Sequence, residues 1–205
     1  MALDTYANLQ TSIASWAWRT GDPEFTAQIP DFITLAESRF NRSLRLREME
    51  ALATLTLVNS AASLPSDYLE FRRVVASTSP AQPLELVTPD YAATAYPTNY
   101  SGFPQHFTIV GSTLTVYPST SATVALAYYQ KIPALTTNNQ TNWLLTKAPE
   151  VYLYGALVEA APYMMDDARM ATWGQMLQKA MGDLQASDTS ARYSRATVRV
   201  SQETP

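Results

Sequence analysis

His106 is the single histidine in this chain of 205 residues, so any imidazole acid–base chemistry has to pass through it. A Ser/His/Asp arrangement pairs the imidazole with an exposed serine, and no serine here stands in a G-x-S-x-G elbow. In Pro104-Gln105-His106-Phe107 the histidine opens a strand-like run and reads as a polar residue on a strand face. The usual zinc sets need three or four ligands drawn from histidine, cysteine and carboxylate, and the chain has no cysteine at all. Two acid pairs remain, Glu48 with Glu50 and Asp166 with Asp167, and paired carboxylates can hydrolyse glycosides at the right separation. Asp166-Asp167 stands where a helix cap is expected, and Glu48 and Glu50 flank a helix exit, so both pairs read as structural. Neither G-x-x-x-x-G-K-[ST] nor G-x-G-x-x-G occurs, and six glycines leave little material for a phosphate cradle. We expect no enzymatic activity, no cofactor and no metal.

The chemistry left is recognition by arginine. The segment from Ile29 to Glu50 carries Arg39, Arg42, Arg45 and Arg47 on a helix that runs into a strand. At about 100° per residue, Phe32, Leu35, Ala36, Phe40, Ser43 and Leu44 gather on one face, the pattern of a helix docked on a core. Arg42 and Arg45 flank it beside Asp31 and Ser38. Arg39 projects within the apolar arc and needs either an edge or a partner for its planar fork, and another subunit would serve. Lys131, Lys147 and Lys179 are the only lysines among the 14 basic residues. Such a bias leans toward protein interfaces, where arginine is enriched and lysine depleted. A net charge of −4 argues against tight nonspecific nucleic-acid binding, which needs a basic footprint.

These residues need elements to hold them. Leu3, Tyr6, Leu9, Ile13 and Trp16 recur at helical spacing, and Asp22-Pro23-Glu24 restarts a helix with a cap, a proline at the first turn and an acid at the positive end. Pro30 is expected to break that piece from the helix over 31–46. From Met49 the period changes to two, giving strands over 51–58 and 71–75. A hairpin is expected at 107–110 and 113–117 through Gly111-Ser112, then a strand over 123–131 and a short inserted helix after Thr88-Pro89-Asp90. Helix returns after Asn142, with a buried helix over 151–161 and a last one bearing Trp173, Met176, Leu177, Ala180 and Leu184. The expected fold class is α+β, mainly helical: a helical bundle built from N- and C-terminal helices, with an inserted small antiparallel β-domain and an extended C-terminal arm. The expected domains are 1–48 and 142–192 for the bundle, 49–141 for the β-rich lobe and 193–205 for the arm.

Between Tyr91 and Thr146 only Lys131 carries a formal charge. Both a small β-domain with a hydroxyl-rich surface and a protein interface fit that stretch. Its aromatics, Tyr96, Tyr100, Phe103, Tyr117, Tyr128 and Tyr129, suit core filling or interface contacts, and equally a receptor- or glycan-binding surface on a tail. The end of the chain, Ser194 to Pro205, alternates Val198 and Val200 with polar residues and carries Arg195 and Arg199. It fits a frayed terminus or a strand added to a partner's sheet. No apolar run reaches the roughly 20 residues that cross a bilayer, and Met1 to Gln10 lacks a signal-peptide pattern, so we expect a soluble chain without a membrane partner.

The order of short motifs says more than any one of them: Trp16-Ala17-Trp18-Arg19, Ile29-Pro30-Asp31-Phe32, Leu44-Arg45-x-Arg47-x-Met49-Glu50 and Leu64-Pro65-Ser66-Asp67-Tyr68-Leu69. Tyr128-Tyr129-Gln130-Lys131-Ile132-Pro133, Asn142-Trp143-Leu144-Leu145 and Tyr154-Gly155-Ala156-Leu157-x-Glu159-Ala160 follow. This series resembles the tailed-bacteriophage adaptor proteins, also called head-to-tail connector or head completion proteins, from about Leu3 to Leu184. The resemblance implies a structural virion protein of the neck, assembled in the host cytoplasm as a ring, dodecameric, beneath the portal. The implied partners are further copies of itself, the portal protein, and tail tube, nozzle or tail-fibre proteins. Genomic DNA would pass through the lumen without sequence-specific binding. Arg39, Arg42, Arg45 and Arg47 would then contact a neighbouring subunit or the portal, and Arg195, Val198, Arg199 and Val200 would lie in an extension reaching an adjacent ring.

Overall fold

The computed structural model describes residues 3–97, 101–165 and 167–193. The chain divides into two compact units, Met1–Glu48 with Ile132–Pro205, and Met49–Lys131. In the first unit, α1 (Tyr6–Trp16) and α2 (Pro23–Ser43) precede α4 (Trp143–Lys147), α5 (Pro149–Met164) and α6 (Asp167–Tyr193). Local rules set the starts. Thr5 Oγ1 accepts from the Asn8 amide at 3.3 Å, Asp22 Oδ1 from Phe25 at 3.1 Å, and Asn142 Oδ1 from Leu145 at 2.8 Å. Caps of this kind contribute about 1 kcal/mol each. Helix α5 packs against α1, α2, α4 and α6, and its low amphipathicity follows, since Val151, Tyr152, Leu153, Ala156, Leu157 and Val158 are all buried.

Pro30 does not break α2, which runs unbroken from Pro23 to Ser43. The proline forfeits one backbone hydrogen bond early in the helix, while Phe25, Ile29, Phe32 and Ile33 around it are buried and hold both sides in register. Residues 132–141 pack with this unit because α2 supplies acceptors for their backbone. Asn41 Oδ1 accepts from the Ile132 amide at 2.9 Å, and Glu37 Oε1 from the Leu135 amide at 2.8 Å.

The second unit holds β1 (Glu50–Thr56), β2 (Ala61–Ser63), β3 (Tyr68–Ala76), β4 (Gln82–Pro83), β5 (Glu85–Leu86), α3 (Pro89–Ala95), β6 (His106–Val110), β7 (Thr113–Tyr117) and β8 (Thr123–Gln130). They form two four-stranded sheets, in the orders β1-β8-β3-β4 and β2-β7-β6-β5. The hairpin through Gly111-Ser112 is present, with Ile109 opposite Leu114 and Gly111 at φ +60°. Thr88 Oγ1 caps α3 by accepting from the Tyr91 amide. Leu55, Val74, Phe107, Leu114, Val124 and Leu126 are buried in one core, and Phe71 meets Phe107 edge to face at 5.3 Å.

The expected fold class is corrected here. The protein is not a mainly helical bundle with a small antiparallel insert. Among the described residues it is an α+β protein with six helices and two sheets of four strands each. The second sheet is not purely antiparallel either, since β5 pairs parallel to β6, Glu85 with His106 and Leu86 with Phe107. Strands of two residues such as β4 and β5 carry no readable alternation, and the core they help close is built by contacts far apart along the chain.

Candidate assembly interface

The arginine cluster resolves into four different situations. Arg39 leaves the apolar arc to pair with Glu159 of α5 at 2.6 Å. Arg45 folds back on the end of α2, where Nη1 donates to the carbonyls of Asn41 at 2.8 Å and Leu44 at 2.6 Å, groups a helix end otherwise leaves bare. Arg47 is exposed, and its backbone amide donates to Asp188 Oδ1 at 3.2 Å. Arg42 is exposed in the last turn of α2 and has no ion-pair partner among the described residues. Arg42 and Arg47 thus both present guanidinium groups without an ion pair among the described residues. Arg195, Val198, Arg199 and Val200 lie outside the described residues, as does the arm expected there beyond Tyr193, the last residue of α6.

Two carboxylates anchor the chain around this cluster. Burial pushes the Asp188 carboxyl up, but the 2.7 Å bond from Arg192 and the Arg47 amide outweigh it and hold the group below its ordinary value. Burial also pushes Glu48 up, and the bond from Lys147 more than offsets that. Groups with lowered folded values add stability above their unfolded values and surrender it as pH falls through the folded ones. We therefore expect the denaturation midpoint to fall on acidification between about pH 5 and 3. Asp188→Asn should lower the midpoint at neutral pH and flatten that slope. A slope unchanged in Asp188→Asn and Glu48→Gln would assign acid lability to other groups.

Three of the residues considered for catalysis, His106, Glu48 and Glu50, make contacts within the chain. His106 Nδ1 lies 2.7 Å from the Tyr96 hydroxyl, Tyr91 meets its ring edge-on, and the Glu85 carboxylate stands 3.9 Å from Nε2. Glu48 pairs with Lys147 and Glu50 with Arg72, and Asp166 lies outside the described residues. Among the tyrosines, Tyr96 stacks on Tyr117, Tyr128 stacks on Tyr68 and donates to Asp67, and Arg72 sits over Tyr129. Tyr100 lies outside the described residues.

A second feature lies at the end of α1. Trp18 is 82% exposed and sits at φ +57°, a left-handed conformation rare for a bulky side chain. Trp16 is half exposed and meets Tyr154 of α5 edge to face at 5.9 Å. Ser15, Trp16, Trp18 and Thr20 line a surface hollow of about 510 Å³. Exposed tryptophan beside a hollow is the kind of feature that dominates protein interfaces.

The family model described as SU10 adaptor protein matches residues 4–201. The chain belongs to that family. It is therefore a phage adaptor protein, a structural component of the virion. No curated protein matches it. The match covers both units of this SU10 adaptor, including the arginine-bearing helix and the tryptophan hollow. Among the described residues, no helix of the adaptor is long and apolar enough to cross a membrane.

Sequence reasoning found the arginines but missed the tryptophan hollow and one further residue. Trp16 and Leu35 share the helical phase of core positions, yet Leu35 is 51% exposed. Periodicity gives the direction of a side chain around its helix but not how far the neighbouring helix extends to cover it. No local signal distinguishes Leu35 from Phe32.

Proposed function

We propose that this adaptor forms a ring, dodecameric, between the portal and the tail, joining head to tail and continuing the channel for DNA. Its role in this reading is structural and not enzymatic, and its place is the virion neck. The family match over residues 4–201 carries the proposal. The exposed Arg42 and the Trp16/Trp18 hollow add to it, being groups suited to protein contacts. With a net charge of −4, a lumen lined by acidic groups would let DNA slide past by like-charge repulsion, without sequence-specific contacts. The portal would lie above the ring and tail tube, nozzle or tail-fibre proteins below it.

Quantitative mass spectrometry of purified particles tests the reading, with complete particles compared against DNA-filled heads that lack tails. A low copy number in fixed ratio to the portal protein is expected in complete particles. Absence from particles, or a copy number on the scale of the major capsid protein, would overturn a neck position.

A further inference from the structure

We infer that neighbouring copies of the adaptor meet through two different faces of the helical unit, the Leu35/Arg42 stripe of α2 on one copy and the Tyr154/Met176 notch of α5 and α6 on the next. The inference rests on the ring reading above and names the contact that would build the ring.

The first face follows from helical periodicity. Asp31, Leu35, Ser38 and Arg42 are spaced to share one stripe of α2, and all four are exposed. An exposed leucine two turns before an arginine with no ion pair among the described residues combines an apolar knob with an available cation. The second face is a notch of about 310 Å³ lined by Glu150, Tyr154, Met176, Lys179, Ala180 and Asp183. Met176 is 42% exposed at its rim. Glu150 and Asp183 are exposed carboxylates with no ion-pair partner among the described residues. Tyr154 of the notch meets Trp16 of the tryptophan hollow edge to face.

The faces complement each other in both respects that matter. Leu35 supplies an apolar group for the Tyr154/Met176 surface, and Arg42 supplies a cation to a notch whose two carboxylates, Glu150 and Asp183, outnumber its one lysine, Lys179. Arginine and aromatic anchors are also the residues that contribute most at interfaces. Because each copy would present one face to each neighbour, the contact is head-to-tail, which generates a closed ring when the rotation per subunit closes and an open filament otherwise. The competing self-contact, α2 against α2 in antiparallel, would make a closed pair and stop there.

The chain contains no cysteine, so introduced thiols report without background. Leu35→Cys, Met176→Cys and the double variant of the full chain would be prepared and mildly oxidised. All the substituted side chains are exposed, and melting curves confirm that each variant folds. The double variant is expected to give a ladder of disulfide-linked oligomers, the two single variants mixed should give a heterodimer, and neither alone should cross-link. Arg42→Glu in the double variant should lower the ladder yield about tenfold by placing like charges together. Adding Glu150→Arg and Asp183→Arg should restore it. Cross-linking of Leu35→Cys to itself, or no ladder in the double variant, overturns the inference. The ring reading is judged separately by copy number in particles, so a missing ladder beside a fixed neck copy number rejects these faces and leaves the ring standing.

Discussion

Gly155→Val is expected to destabilise the helical unit by roughly 3 kcal/mol or more, with Gly155→Ala costing about 1–3 kcal/mol. A Cβ at this position would stand 2.4 Å from Phe40 Cζ, 3.0 Å from Cε1 and 3.3 Å from the Ala36 Cβ. Phe40 is fully buried, and its ring is set against Tyr152 edge to face at 5.4 Å, so any shift of the ring disrupts that packing. The missing side chain is what lets α2 approach α5 this closely. Relief by backbone separation would strain the nearby Arg39–Glu159 pair and the Tyr152 hydroxyl network as well. Denaturant unfolding of the two variants gives the cost directly. Phe40→Leu in the Gly155→Ala background should cost less than Phe40→Leu alone, because the smaller side chain makes room for the added methyl. Additive losses would show that the close approach is not what makes glycine necessary at 155.

What the sequence disclosed about the fold was local. Asp22, Thr88 and Asn142 cap helices because each offers a side-chain oxygen to an amide three residues on, and Gly111-Ser112 turns a hairpin between two alternating runs. What it concealed depended on distant partners. Arg39 finds Glu159, which is far along the chain, and the parallel pairing of β5 with β6 joins segments separated by α3. The two sheets were read as one small antiparallel insert because β2, β4 and β5 are too short to show a period. Pro30 argued for a break by a local rule, and buried apolar residues on both sides overrode it. The arginine cluster was legible by composition alone. Which members are engaged was not, because that depends on separate partners: a carboxylate on α5 for Arg39, and the carbonyls of Asn41 and Leu44 for Arg45. The family relationship was readable in the order of short motifs, since order survives where single motifs of common residues say little.

Glu37→Ala should cost about 2–5 kcal/mol at neutral pH, while Glu37→Gln should cost far less. Glu37 is buried in α2, and its Oε1 accepts from the Leu135 amide at 2.8 Å and the Tyr152 hydroxyl at 3.0 Å. That hydroxyl in turn accepts from Asn142 Nδ2 at 2.6 Å, and the same nitrogen donates to the Pro133 carbonyl at 2.7 Å. One carboxyl thus ties α2 to α5 and to the segment that leads into α4. Alanine leaves two buried donors without an acceptor, whereas glutamine keeps the accepting oxygen. Burial also pushes the Glu37 carboxyl above its ordinary value of 4.5, which the Leu135 amide and the Tyr152 hydroxyl offset only in part. Burial and the nearby Glu37 charge raise the Tyr152 phenol as well. The sign for Glu37 is therefore opposite to that of Asp188 and Glu48. Its contribution is complete below 4.5 and declines as pH rises from there to the folded value, because the unfolded chain releases its proton first. Glu37→Gln should accordingly remove a loss of stability on the alkaline side of that window while leaving the acid loss untouched. Unfolding midpoints across the pH range, with hydrogen exchange at the Leu135 amide, separate the two roles. Faster exchange at Leu135 in Glu37→Ala but not in Glu37→Gln is the expected pattern. An alanine variant within about 0.5 kcal/mol of the parent would mean that water replaces the carboxyl, and that the α2 contact to residues 132–141 does not depend on it.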